Sequence, residues 1–478
     1  MEPSHETSAT GDLVVGGWTV QPTLNRLCRG DRQVRVEPKL MDVFLHLARR
    51  AGQVVSKDEI AATVWPGVFL SDSVISRAIA GLRRALGDDA RSPRYIETIA
   101  KRGYRLLVPV ETPAPVGDPG PTGLPARAAT SAPGRVAPGY VVGQWVRGAR
   151  FYGRGAEIAE ILEGPRNGVW LLGGRAIGKT SLLKHLEHLT ATEPDGHYVP
   201  LFWDLQGCVE PEDLHQDFQA ALEDAADRLE SLGVVIDEVR ADDFLVALGR
   251  LRRALRARGR TLLLLWDEVE ELIHLHASWP PLLRKLRRAL QSQEGVRAVI
   301  ASGPRLWQLA DQRDDTSPFL HGFAPPLYLG PLSEDDSFDL VRQTQAGAGE
   351  RIDDRRRARE IVRRTGGHPN LLQMLAARTL ELGDLERATE AVAADPTVRF
   401  LLAVDLDLLT EAERRILRAL ARSEDVEPVD LSDLDLALPA LELGPRLAHL
   451  EGLGLVRRDG SRVGLAQPLF HRYLREQR

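Results

Sequence analysis

Two periods of apolar residues run along the chain, and each predicts its own elements. A period of two comes first. "LVVGGWTVQP" and "RLCRGDRQVRV" alternate apolar with polar positions, the pattern of a small antiparallel sheet. A helical period follows. In "KLMDVFLHLARRAG" Leu40, Val43, Phe44 and Leu47 fall on one face, and Gly52 stops the run. Ser56 with Glu59 three residues later forms a capping box, so "SKDEIAATVW" starts a second helix. "SDSVISRAIAGLRRALGDD" predicts a third. Stepping about 100° per residue, Ile75, Ala78, Ile79, Leu82 and Leu86 share one face. Ser73, Arg77, Ala80 and Arg84 share the opposite face, with Arg83 on its flank. "RYIETIAKRGYRLLVPV" then reads as two strands joined by a turn holding Lys101, Arg102 and Gly103.

Residues 111–139 break both periods. They are rich in Pro, Gly, Ala and Ser with almost no large apolar side chains, so they predict a semi-extended, disordered linker. Beyond it lie "VWLL" (169–172) and "LLLLW" (262–266), apolar at successive positions, and the mostly apolar "VRAVIAS" (296–302). Such runs suit parallel strands covered on both faces. The arginine-rich runs 251–260 and 353–364 have helical spacing and mixed charge, as solvated helix faces do.

Composition changes this picture little. The chain has 478 residues, 43% hydrophobic and 27% charged, enough for about three domains. No apolar run approaches the roughly 18 residues of a membrane helix, and "MEPSHETSAT" lacks the features of a signal peptide. Cys28 and Cys208 stand far apart, which predicts neither disulfide nor zinc. A cytoplasmic, nucleoid-associated protein with no membrane contact is expected. Charge adds more. Residues 11–110 hold 16 Lys+Arg against 10 Asp+Glu, a balance of +6, so with a net charge of −6 the remainder carries −12. A polyanion would meet the N-terminal part.

Candidate chemistry sits in "GGRAIGKTSLL" (173–183). Gly173, Gly178, Lys179 and Thr180 satisfy G-x-x-x-x-G-K-[ST]. The backbone of Gly173, Gly174, Arg175, Ala176, Ile177 and Gly178 would curl around phosphates, continued by Ser181 at the helix start. Lys179 reaches the β- and γ-phosphates, and Thr180 offers a hydroxyl to Mg²⁺. Asp267 ends the leucine strand and suits the same Mg²⁺, while Glu268 is placed to activate a water. The strand of 296–302 ends near Ser302 and Arg305, the place for a γ-phosphate sensor.

Two resemblances follow from these residues. The three helices and basic hairpin, with "AGQVVSKDEIAATVWPG", "LRRALGDD" and "YIETIAKRGYRL", resemble the OmpR-type winged-helix effector domain, above all its stand-alone relatives. That resemblance implies double-stranded DNA as partner, Arg77, Arg83 and Arg84 toward DNA on or beside the third helix, and Lys101 and Arg102 on the wing. "FYGRGAEIAEI" (151–161), the phosphate loop and "TGGHPNLLQML" (365–375) resemble STAND ATPases and origin-recognition-type AAA+ proteins. This implies ATP/ADP and Mg²⁺ as cofactors, with Gly153, Arg154 and Pro369 in the nucleotide pocket. Relatives often place a histidine at the strand-to-helix step of the last domain, whereas Ala466 and Gln467 stand there and His471 comes one turn later.

The expected fold is multidomain α/β: a winged helix (11–110), the linker (111–139), a P-loop ATPase core (140–330), a helical lid (331–402) and a second winged helix (403–478). The expected function is an ATP-switched, homo-oligomerising DNA-binding transcription regulator with slow hydrolysis of ATP to ADP and phosphate. A signal protein or small ligand is its inducer. The alternative is a DNA-stimulated AAA+ ATPase of replication, transposition or defence.

Overall fold

The computed structural model describes residues 13–22, 26–30, 32–36, 38–64, 72–88, 93–99, 102–111, 139–193, 196–208, 210–279, 281–291, 294–309, 319–345, 350–422, 428–431 and 440–477. They fall in two compact units, 1–132 and 133–478. The interior of the expected linker and Lys101 lie outside the described residues, as do the side chains of Arg77 and Arg84.

In the first unit β1 (Leu13–Val15), β2 (Trp18–Gln21), β3 (Arg26–Arg29) and β4 (Arg32–Arg35) form the antiparallel sheet that the alternation predicts. Three helices follow: α1 (Pro38–Ala48), α2 (Lys57–Val64, after the short β5, Val54–Val55) and α3 (Asp72–Leu86). The capping box forms at α2: the Ser56 amide donates to Glu59 Oε2 at 3.2 Å, and the Glu59 amide to Ser56 Oγ at 3.1 Å. Ile75, Ala78, Ile79, Leu82 and Leu86 are all buried, the face that the period assigned to the core. β6 (Ile96–Ile99) and β7 (Gly103–Leu106) make the wing hairpin, with β5 paired to β7, and β8 (Val110–Glu111) adds to the first sheet beside β1.

Gly103 is sterically required at the wing. Its φ is +135°, and a Cβ there would lie 2.0 Å from the Val55 carbonyl oxygen. Gly103→Ala is expected to destabilise the first unit by about 1–3 kcal/mol, with β5 separating from β7. Amide exchange in the full chain reads this directly, and unchanged protection at the β5–β7 pairing would refute it.

The second unit begins with α4 (Gly155–Glu163), β9 (Gly168–Leu172), α5 (Lys179–Thr192) and β10 (Tyr198–Asp204). Four helices follow, α6 (Pro211–Asp224), α7 (Ala226–Ser231), α8 (Ile236–Val239) and α9 (Phe244–Arg256). They lead to β11 (Thr261–Asp267), α10 (Glu271–Ser278), α11 (Pro281–Gln291), β12 (Val296–Ser302) and β13 (Leu327–Tyr328). The five strands are parallel in the order β10-β11-β12-β9-β13. Val169, Leu171, Leu263, Leu265, Val299 and Ala301 pack under α5 on one face. Trp170, Leu172, Leu262, Leu264, Trp266 and Ile300 pack toward α6–α11 on the other. Burial on both faces is why these strands read as mostly apolar runs, and the one buried arginine of β12, Arg297, donates to the Ile161 and Gly164 carbonyls at 2.7 Å each.

The chain continues as α12 (Glu334–Arg342), α13 (Arg355–Thr365), α14 (Pro369–Leu382), α15 (Leu385–Ala394) and α16 (Pro396–Asp407). Then come α17 (Glu411–Leu420), β14 (Val429–Asp430), α18 (Ala440–Gly452), β15 (Val456–Asp459), β16 (Arg462–Leu465) and α19 (Pro468–Glu476). This last group is the second winged helix, its hairpin in a sheet of order β14-β16-β15. It shares one hydrophobic core with α12–α16, from Leu340 and Leu372 through to Phe470 and Leu474. It also touches the end of the parallel sheet, where the Tyr328 hydroxyl and His449 Nδ1 are 3.0 Å apart.

Candidate functional site: the phosphate loop and the DNA-reading head

In an open parallel sheet, ligands bind beyond the carboxyl ends of the strands, and the candidate residues converge there. The loop between β9 and α5 turns through Ala176 (φ +53°) and Gly178 (φ +102°), which aims the first amides of α5 back over the loop. Ile177 leaves the loop and is buried in the core under α5, which anchors the turn. Lys179 Nζ donates to the Gly173 and Gly174 carbonyls at 3.1 and 2.9 Å. The Ser181 hydroxyl accepts from the Val146 amide at 3.2 Å, so it braces the preceding segment.

Asp267 closes β11 and is buried, bonded to the Thr180 hydroxyl. β10 and β11 pair in register so that Asp204 lies directly beside Asp267. Burial and then the Asp204 charge push the Asp267 carboxyl up to about 6, against the pull of Thr180 and Lys179. Glu268 follows with φ +52°, a left-handed conformation uncommon for its type. Desolvation by the cleft walls, then the charges of Asp267 and Glu270, push Glu268 up to about 7. Its surface still meets solvent, so water tempers that rise.

Other expected site residues are held in ways the sequence did not indicate. Arg154 is buried with φ +69°. Its guanidinium donates to the Gly330 carbonyl at 2.6 Å and the Ile177 carbonyl at 3.4 Å, and pairs with Glu157 at 3.2 Å. It therefore clamps the loop to the segment that follows β13. Gly153 (φ +73°) lies against Asp336, where a Cβ would come within 2.7 Å. Ser302 is fully buried: the Trp170 indole donates to its hydroxyl at 2.8 Å, and that hydroxyl donates to the Gly303 carbonyl at 3.0 Å. Its one hydroxyl proton is thereby directed to the Gly303 carbonyl. Arg305 is exposed in the 3₁₀ turn Pro304–Leu309.

Pro369 is the first residue of α14, and His368 caps that helix. His368 is buried, with Nε2 3.3 Å from the Arg175 carbonyl, and burial pushes its pKa down to about 4. The lid thus touches the phosphate loop through a neutral imidazole. At the last strand-to-helix step, Ala466 packs its carbonyl against Gly366, and the buried Gln467 donates to the Gly454 carbonyl at 3.2 Å. His471 is buried one turn later.

Asp204 and His368 escaped sequence reasoning. A signal for the first was present: "LFWD" is an apolar strand ending in aspartate, as is "LLLLWD". Nothing in the sequence announced that these two strand ends are neighbours.

In the head, Arg83 donates to the Ile96 carbonyl at 3.2 and 2.9 Å and to Thr98 Oγ1 at 2.8 Å. It ties α3 to the wing strand. Arg102 is exposed in the wing turn.

Residues 31–106 match the family model for the C-terminal domain of transcriptional regulatory proteins. The transcriptional activator CadC of Escherichia coli K12 is 42% identical over 97 residues, 20% of this chain and 19% of CadC. The transcriptional regulator HilA of Salmonella typhimurium is 37% identical over 92 residues, 19% of this chain and 16% of HilA. The match therefore spans about a fifth of these relatives and only the head of this chain. The Walker-type ATPase PABY2304 of Pyrococcus abyssi superposes with a TM-score of 0.51 at 18% identity, over 69% of this chain and 98% of that one. The class so defined is an OmpR-type winged helix of the transcription-regulator kind joined to a body with the fold of a Walker-type ATPase. Among the described residues, no helix is long and apolar enough to cross a membrane.

Proposed function

We propose that the chain is an ATP-switched transcription regulator, in which the nucleotide on the body governs self-association and hence DNA binding by the head. The observation that carries this reading is one chain holding both a regulator-type winged helix and a complete phosphate loop beside a strand-end carboxylate. The residues fit a nucleotide and a hard cation. The loop presents backbone amides at a helix N-terminus, where anions are favoured. Lys179 donates to the loop's own Gly173 and Gly174 carbonyls, neutral partners that a phosphate readily replaces. Thr180 and Asp267, already bonded to each other, form an all-oxygen pair of the kind Mg²⁺ selects.

In this reading Gly173–Ser181 hold the phosphates, Thr180 and Asp267 hold Mg²⁺, and Pro369 borders the base, with Gly153 and Arg154 shaping the pocket. The bound cation supplies charge neutralisation on the phosphates. Glu268 positions or deprotonates the attacking water, and Arg305 reaches the terminal phosphate. On the head, Arg77, Arg83, Arg84, Lys101 and Arg102 meet DNA, and Arg83 also braces the wing strand. Two heads joined through associated bodies bind DNA far more tightly than one, with no new contact. The protein acts in the cytoplasm on double-stranded DNA, released by a signal protein or small ligand.

The test is to measure mass in solution and operator affinity of the full chain with ADP and with a non-hydrolysable ATP analogue. If both quantities ignore the nucleotide, the switch is refuted. The strained Glu268 beside Asp267 favours a second reading, a DNA-stimulated ATPase. Turnover that rises sharply on adding duplex DNA supports that reading.

A further inference from the structure

The last helix of the lid reaches back to the phosphate loop. Asp405, near the end of α16, accepts a hydrogen bond from the Arg175 amide at 3.1 Å. Its carboxylate also lies against Gly174, where an added Cβ would stand 3.4 Å from Asp405 Oδ2. Loops of this kind bind anions through their backbone amides. A protein carboxylate therefore takes one of the donors the loop offers, and it does so within the field of Lys179. Burial pushes the Asp405 carboxyl up to about 6, opposed by the Arg175 amide, Lys179 and the Arg175 charge.

We propose that Asp405 is a specificity-determining residue of the phosphate loop, disfavouring a nucleoside triphosphate relative to the diphosphate. The inference rests on the nucleotide reading given above. ADP and ATP share the groups held by the helix N-terminus. ATP adds one phosphoryl group and further negative charge at the end of the chain that the loop lysine serves. That charge meets an ionised carboxylate in a partly desolvated cleft. Like charges a few Å apart at an effective dielectric of about 20 repel strongly enough for about tenfold discrimination or more. The triphosphate therefore requires Asp405 to withdraw.

Withdrawal has a path to the rest of the body. Arg399, two turns earlier on α16, pairs with Glu476 of α19 at 2.5 Å and stands 5.6 Å over the Tyr473 ring. Moving α16 thus pulls on the second winged helix. A third phosphate is read out there without a histidine at the strand-to-helix step.

The experiment measures ADP and a non-hydrolysable ATP analogue, each with Mg²⁺, binding to the full chain by calorimetry. Wild type is compared with Asp405→Asn, Asp405→Ala and Lys179→Ala. Asp405→Asn keeps an acceptor for the Arg175 amide and removes only the charge, so it guards against a folding artefact in Asp405→Ala. The expected result is a fall of about tenfold or more in the ratio of triphosphate to diphosphate Kd in both Asp405 variants, with the ADP Kd moving less than about threefold. An unchanged ratio in both overturns the proposal, as does equal tightening of both nucleotides, which makes Asp405 an unselective latch. If wild type binds neither nucleotide, this proposal and the nucleotide reading fall together. If wild type binds and Lys179→Ala does not, the nucleotide reading stands whatever the Asp405 variants show.

Discussion

Lys179→Ala is expected to weaken both ADP and ATP by about 100-fold or more, the loss of several charge-assisted hydrogen bonds to phosphate. The fold should survive. The ammonium of Lys179 donates to the Gly173 and Gly174 carbonyls of its own loop, and its side chain is half-buried. The melting temperature without nucleotide should fall only modestly, because the change leaves the hydrophobic core intact but removes the charge that offsets Asp267, Glu268 and Asp405. Stabilisation of the wild type by added nucleotide should vanish in the variant, since ligand linkage requires binding to the native state. Assembly and operator affinity should lose their nucleotide response at the same time. A variant that keeps nucleotide affinity, assembly and DNA affinity together unchanged would remove the phosphate loop from the function.

The second large effect is on turnover. Glu268→Gln should lower phosphate release by about 100- to 10,000-fold, the range for losing a positioned general base, while nucleotide affinity changes only a few-fold. Glutamine preserves shape and so the left-handed backbone at this position, but it accepts no proton from water. Desolvation, then the charges of Asp267 and Glu270, push the carboxyl it replaces up to about 7, which suits a base that works near neutral pH. Phosphate release is measured with and without duplex DNA, and each arm is informative. Equal turnover in variant and wild type would reassign the base. Strong DNA stimulation in wild type would favour an enzyme that works on DNA over a switch that reads it.

Much of the fold was legible because it rests on neighbours in sequence. The capping box at Ser56 and Glu59, the buried face of α3 and the alternation of β1–β4 are local patterns, and each appears where its spacing placed it. The phosphate loop was legible for the same reason. Its glycines, lysine and threonine are contiguous, so one strand-turn-helix brings them together.

Other assignments depended on which segments lie across from one another. Ser302 ends a strand, and only the fold brings Trp170 across from it to donate to its hydroxyl. Arg154 belongs to a pocket motif but serves as a clamp on carbonyls from two distant segments. Arg83 is one more arginine on a basic helix until β6 presents the Ile96 carbonyl to it.

Local spacing by itself determined the elements, their buried faces and the phosphate loop, because period and contiguity are properties of the chain alone. The tertiary structure decided that Asp204 stands beside Asp267, that His368 and Asp405 touch the loop, and that Arg154 and Arg83 meet carbonyls and Ser302 an indole. The physical reason is that a hydrogen bond or a charge acts over a few Å. Sequence distance does not report that separation once strands cross over and helices fold back.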